Sequence, residues 1–251
     1  MPVYKANGIV LSRRNLGETD RILTLFCRDN GKISVVAKGS RRPNSKFGGA
    51  TELFTHSNLL LATGKSLDVV SQCEIYDCFP ALRSDLTMMA IATYMCELID
   101  RLLEEHEVEP EVFDLFLSGL HLMQKQVMDP EVVLHAFEMR LLAHRGYTPE
   151  LNICVRCHVA LSGTRRAFSP TLGGILCDKH LHAHEDSFQI TPETCQTLQI
   201  LLTAEIPDLA VLQMGSDTQA QVQRCLRWYI RYRIDRDLKS AAFLDVLRNS
   251  G

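Results

Sequence analysis

The period of apolar and polar positions changes near residue 80. Before that point, short runs rich in β-branched and aromatic residues alternate with turn residues. The segment "NGIVLSRR" reads as a strand. "RILTLFCRDNGKISVVAKG" reads as two strands around Asp29-Asn30-Gly31, a strong hairpin signal. "TELFTHSNLLLAT" and, after Gly64, "LDVVSQCEIYDC" supply two more runs. This density of short strands predicts a small barrel or meander, punctuated at its end by Pro80.

Beyond Pro80 the spacing becomes helical. In "LTMMAIATYMCELIDRLLEEH" the apolar residues Leu86, Met89, Ala90, Tyr94, Leu98 and Leu102 recur at helical intervals. "PEVFDLFLSGLHLMQKQV" and "DPEVVLHAFEMRLLAHRG" follow, each with Pro-Glu in its first turn, and Gly146 is a stop signal. After an interruption, "TPETCQTLQILLTA", "TQAQVQRCLRWYIRYRIDRDL" and "KSAAFLDVLRNSG" are again helical in pattern.

The interruption carries the sharpest chemistry. Cys154-Val155-Arg156-Cys157 precedes Cys177-Asp178-Lys179-His180 by a hairpin-sized insert holding Gly163, Pro170, Gly173 and Gly174. Two short ligand pairs flanking such an insert suit tetrahedral zinc. A full set of four soft or borderline donors leaves no open position, so one structural Zn2+ is expected, fixing a segment too poor in apolar residues to fold alone. Three other histidines, His158, His182 and His184, compete with His180 for the fourth position.

Charge adds a second feature. The 251 residues carry a net charge of −3, but residues 1–46 hold ten Lys/Arg against three Asp/Glu, a net of +7. The remainder holds 17 against 27, a net of −10. A polyanion-facing N-terminus on an acidic body is the expectation. Within it, "VVAKGSRRPNSKFGG" concentrates Lys38, Arg41, Arg42 and Lys46 in one glycine-rich loop, with Arg13 and Arg14 nearby. Those six residues are the candidate nucleic-acid contacts, and Phe26, Phe47 and Phe54 are stacking platforms or core. A third group, Arg224, Arg227 and Arg231, shares a predicted helix with Trp228 and Tyr232. It either extends a DNA path, grips an acidic partner tail or is a solvated basic face.

Catalytic signatures are missing or incomplete. "ATGKS" at 62–66 has Leu59 where a phosphate-binding loop needs its first glycine. No H-x-E accompanies the cysteines as a zinc deaminase requires, and neither His106-Glu107 nor His184-Glu185 completes H-E-x-x-H. The start lacks a signal-peptide pattern and no run reaches membrane-span length, so no membrane association is expected. Nine cysteines, most of them single in apolar contexts, do not form a secreted disulfide framework, so a reduced, cytoplasmic setting is expected.

The block "GETDRILTLFCRDNGKISVVAKGSRRPNSKFGGATELF" closely resembles the N-terminal domain of the RecO family of bacterial recombination mediators. Gly17, Glu18, Asp20, Gly31, Ala37, Lys38, Gly39, Arg41, Arg42, Ser45, Lys46 and Gly48 carry the match. "FEMRLLAHRGYTPELNICVRC" and "KSAAFLDVL" extend it downstream. The resemblance implies an α+β chain: an OB-fold barrel over 1–80, then a helical domain over 81–251 with a zinc-ribbon-like insert at about 148–186. Relatives that keep the cysteines commonly have four, so His180 is a departure. The resemblance further implies a non-enzymatic DNA repair protein that binds single- and double-stranded DNA. Such a protein anneals complementary strands, including those coated by single-stranded-DNA-binding protein, engages that protein's C-terminal tail, and with RecR helps load RecA. Nucleoid association during repair is part of that picture. A general OB/zinc nucleic-acid binder, acting for example on RNA without mediator activity, is the alternative.

Overall fold

The computed structural model describes the backbone of residues 2–234 and 237–250. Eight strands and eight α-helices are described, in two compact units: 1–125 with 239–251, and 126–238.

The first unit begins with five strands: β1 (Val3–Leu16), β2 (Asp20–Cys27), β3 (Gly31–Ala37), β4 (His56–Ala62) and β5 (Asp68–Asp77). They close into a barrel in the order β1-β2-β3-β5-β4. All pairings are antiparallel except β3 with β5, where Val35 faces Asp68. Closure depends on β1. Its first half pairs with β4 and its second half with β2, and a bulge between Val10 and Ser12 lets one strand serve both neighbours. Inward-facing Val10, Leu23, Leu25, Ile33, Val35, Leu59, Leu61 and Val70 fill the interior. Phe26 and Phe54 are also fully buried, and Phe26 packs 5.5 Å from the Phe113 ring. Both phenylalanines are therefore core, not stacking platforms. Phe47 is half-buried against the barrel core.

The "ATGKS" segment forms the turn between β4 and β5, not a strand-to-helix loop. A Cβ at Gly64 would lie 1.9 Å from the Leu67 carbonyl oxygen, so the turn closes only with glycine there.

Four helices complete this unit: α1 (Pro80–Ser84), α2 (Leu86–Leu102), α3 (Pro110–Lys125) and the last helix, α8 (Lys239–Ser250). Asp85 caps α2 by accepting from the Met88 N–H at 2.8 Å. The return of α8 is fixed by Glu97 on α2. Its carboxylate accepts the N–H groups of Lys239 and Ser240 at 3.1 and 2.8 Å, and the Ser240 hydroxyl at 2.5 Å. An anion at a helix start is favoured by the unpaired N–H groups there.

The second unit holds α4 (Pro130–His144), α5 (Pro192–Thr203), α6 (Ile206–Ala210), α7 (Ser216–Ile234) and a small sheet, β7-β6-β8. Its strands are β6 (Arg166–Ser169), β7 (Gly174–Leu176) and β8 (Phe188–Ile190). Asp129 and Thr191 cap α4 and α5. Helix α4 is buried on nearly every side, and its buried polar residues are paired along the helix, His135 Nδ1 with Glu138 at 2.7 Å. It ends at Gly146, whose φ of +75° suits a helix terminator. The Phe168 ring meets Tyr229 edge-on at 5.8 Å and ties the sheet to α7. Among the described residues, no helix is long and apolar enough to cross a membrane.

Candidate nucleic-acid interface and metal centre

The basic loop between β3 and β4 is a chain of tight turns, not an open coil. Arg42, Ser45 and Gly48 donate backbone N–H groups to the carbonyls of Gly39, Arg42 and Ser45, at 3.1, 3.0 and 3.3 Å. The loop leans on the Gly17-Glu18-Thr19-Asp20 turn. Asp20 Oδ1 accepts the Gly39 N–H at 2.8 Å and the Thr19 hydroxyl at 2.9 Å. The Arg41 N–H donates to the Thr19 carbonyl at 2.9 Å, and Arg41 Nη1 donates to the Gly17 carbonyl at 3.1 Å. The Gly39 N–H, then the Thr19 hydroxyl, hold the Asp20 carboxyl below the usual aspartate range, with Lys38 and Arg42 adding to the effect.

Arg13, Arg14, Lys38, Arg41, Arg42 and Lys46 are all exposed. Arg13 differs from the rest. It forms an ion pair with Glu52, which also accepts from Arg21 Nη1 at 3.1 Å. Burial would raise the Glu52 pKa, but the two arginines outweigh it and hold the carboxyl low. The other five cations form no salt bridge among the described residues. Glu52 is far from Arg13 in sequence, and no local pattern announces that pairing.

Cys154, Cys157, Cys177 and His180 come together in the second unit, their ligand atoms all within 4.8 Å of one another. The Cys157 and Cys177 sulfurs are 3.9 Å apart. That is close to the separation two Zn–S bonds of about 2.3 Å give at a tetrahedral angle. His180 Nδ1 faces the sulfurs of Cys177 and Cys154 at 3.3 and 3.7 Å. The first pair is set by a turn in which the His158 N–H donates to the Cys154 carbonyl at 2.8 Å. The second sits on a short 3-10 turn over Asp178–His180. Leu176, Ala167 and Leu181 wrap the cluster.

Burial pushes the Cys154 thiol up, but the backbone N–H groups of Cys177, Cys157 and Arg156 prevail, and its pKa is lowered to about 6. Burial is the largest influence on Cys177, whose pKa is raised. Three thiols and one imidazole nitrogen converging on one point are a donor set that fits a metal ion. Of the competing histidines, His158 and His182 are exposed outside the group, and His184 Nδ1 is bonded to Asp186 at 2.7 Å.

On α7, Arg224 and Arg231 line an open groove with Trp228, while Arg227 is half-buried and engaged within the protein.

A closed five-stranded barrel with a turn-locked cationic loop, followed by helices and a Cys3His cluster, defines an OB-type barrel protein with a metal-competent helical region. Two family models match it: Recombination protein O N terminal over residues 1–79 and Recombination protein O C terminal over residues 83–242. The chain belongs to the RecO family. It is 40% identical to the DNA repair protein RecO of Symbiobacterium thermophilum over the full length of both chains. It is 38% identical to that of Pelotomaculum thermopropionicum, with 98% of this chain and 94% of the relative covered. With that of Heliobacterium modesticaldum it shares 36%, over 100% of this chain and 92% of the relative.

Proposed function

We propose that this chain is a non-enzymatic DNA repair protein acting as a recombination mediator. It grips the phosphate backbone of single- and double-stranded DNA through Arg14, Lys38, Arg41, Arg42 and Lys46, with Arg13 in a lesser role. It anneals complementary strands, including strands coated by single-stranded-DNA-binding protein. With RecR it assists RecA loading. One structural zinc ion sits in the Cys154, Cys157, Cys177, His180 cluster and holds the surrounding turns in place.

The observation that carries the reading is the state of the loop cations. Lys38, Arg41, Arg42 and Lys46 are exposed, form no salt bridge among the described residues and project from a backbone that is already ordered, and Arg14 on β1 forms none either. Binding phosphate then costs little ordering entropy and breaks no ion pair. Contacts to phosphate leave the bases free to pair, as strand annealing requires. Membership of the RecO family supports the repair role.

The test is annealing of complementary strands pre-coated with the cognate single-stranded-DNA-binding protein, without nucleotide, comparing the native chain with Arg41→Ala/Arg42→Ala. Annealing by the native chain and its loss in the variant are expected. With about four phosphate contacts, log K should fall with log salt at a slope of about −3. The double variant should flatten that slope to about −1.5 and weaken binding alike across sequences. DNA binding without annealing would reduce the protein to a plain binding module. Unchanged affinity and slope in the variant would remove the loop from the site.

A further inference from the structure

The groove in the second unit has a composition that the basic loop lacks. Arg224, Trp228, Arg231 and Tyr232 stand at helical spacing on one stripe of α7, while Val222, Cys225, Leu226, Tyr229 and Ile230 bury the opposite side. Trp228 and Tyr232 are each 48% exposed. Large aromatics side by side in water on a helix whose other face is well packed mark a recognition surface. The groove encloses roughly 650 Å³ of free space, within the roughly 300–1,000 Å³ typical of ligand sites.

Its cations are already set against rings. The Arg224 guanidinium lies 4.1 Å over the Phe188 ring, and that of Arg231 lies 5.3 Å from the Trp228 ring. Arg224 forms no salt bridge among the described residues, and the Arg231 pair with Asp237 at 3.0 Å is exposed and readily exchanged. The facing wall is preformed. Asp186 accepts the Ser169 hydroxyl at 2.7 Å and the Thr171 N–H at 2.8 Å, and bonds His184 Nδ1 at 2.7 Å, so its charge is committed within the protein.

We infer that this groove is a second single-stranded nucleic-acid site, in which unpaired bases stack on Trp228 and Tyr232 while Arg224 and Arg231 hold the flanking phosphates. Aromatic platforms interleaved with arginines are the chemistry of base-indifferent strand binding. The exposed rim carboxylate Glu185 disfavours an acidic peptide and a strand's phosphates alike, so the two exposed rings, on which bases stack, decide for the strand. A nucleobase amine can donate to that same carboxylate. The inference rests on the DNA-binding reading only for its choice of ligand, because the groove and the loop belong to different units.

Trp228 is the only tryptophan in the chain, so its fluorescence reports this groove and nothing else. The experiment titrates the full chain with an oligothymidylate of about 12 nucleotides, following tryptophan emission and, with a labelled strand, anisotropy. Quenching is expected in the native chain. It should persist in Arg41→Ala/Arg42→Ala and disappear in Arg224→Ala/Arg231→Ala, whose exposed positions do not threaten the fold. An abasic strand of equal length should quench weakly, and Trp228→Leu should weaken binding in the loop variant about tenfold. A rise in anisotropy with silent tryptophan would overturn the inference and leave the loop reading standing. Quenching by a short acidic peptide but not by the strand would also overturn it, in favour of a protein tail. No binding in either signal would end both readings, and quenching with a loop variant that binds like the native chain would end the loop reading alone.

Discussion

The basic loop and the Cys/His cluster are both turn-rich segments with little apolar content, yet they are held in shape by different means. The loop rests on a neighbouring turn. Its backbone N–H groups find carbonyls and the Asp20 carboxylate, so its order is intrinsic to the barrel. The cluster also sits on hydrogen-bonded turns, but there the turns bring three thiols and an imidazole to face one another, and like charges accumulate when the thiols ionise. A segment held by backbone hydrogen bonds can point its cations outward without competing interactions. A segment held by converging side chains spends those side chains on itself and needs an ion to neutralise them. The first arrangement suits a binding surface and the second suits a structural staple.

The largest expected effect falls on the staple. Cys154→Ser removes one of four donors and should lower zinc affinity by more than about a hundredfold. Metal analysis of the purified chain checks this: about one equivalent of zinc in the native protein, little in the variant. Limited proteolysis should then cut within about 148–186 and spare the basic loop. Cleavage of both alike would erase the contrast. Next comes Arg41→Ala/Arg42→Ala, with its lost annealing and flattened salt slope.

Asp20→Ala should have a smaller effect, because it loosens the loop without removing a cation. The amide of Gly39, which donates to Asp20, should exchange faster with solvent in the variant, and DNA affinity should fall less than in the arginine pair. The Asp20 pKa is lowered on folding from its ordinary value of 3.8, so its contribution is fully present above about pH 4. The contribution is lost as pH falls through the folded value. Protection of the Gly39 amide should therefore be insensitive to pH near neutrality and drop only in strong acid. Early loss, near pH 6, would exclude Asp20 as the anchor. Smallest of all, Glu52→Gln should release Arg13 and strengthen DNA binding about two- to threefold at low salt. Weaker binding would mean that Glu52 positions Arg13 for its contact.

Much of this was legible along the chain. The apolar, β-branched runs "RILTLFC" and "KISVVA" on either side of Asp29-Asn30-Gly31 announce β2 and β3 as a hairpin, and the recurrence from Leu86 to Leu102 announces α2. The CxxC pair and its CxxH partner are visible because ligands on one tight turn must be close in sequence. Less visible was the small sheet β7-β6-β8, whose three- and four-residue strands are too short to show a period. Core placement of Phe26 and Phe54 was one of the two readings the sequence offered; burial of both side chains decides it, with the Phe113 ring packed against Phe26.

By itself, the sequence determined the barrel-then-helix order, the charge of the loop and the three metal-competent cysteines, since each is a matter of local spacing or residue type. Tertiary structure alone decided that α8 returns to α2, that Glu52 neutralises Arg13 while the loop cations go unpaired, and that His180 joins the cysteines in place of His158, His182 or His184. It also decided that Phe188, from a distant strand, lies beneath Arg224 to make a groove. Each of these depends on which side chains meet across long separations. Packing of the whole chain sets those meetings, and no local pattern encodes them.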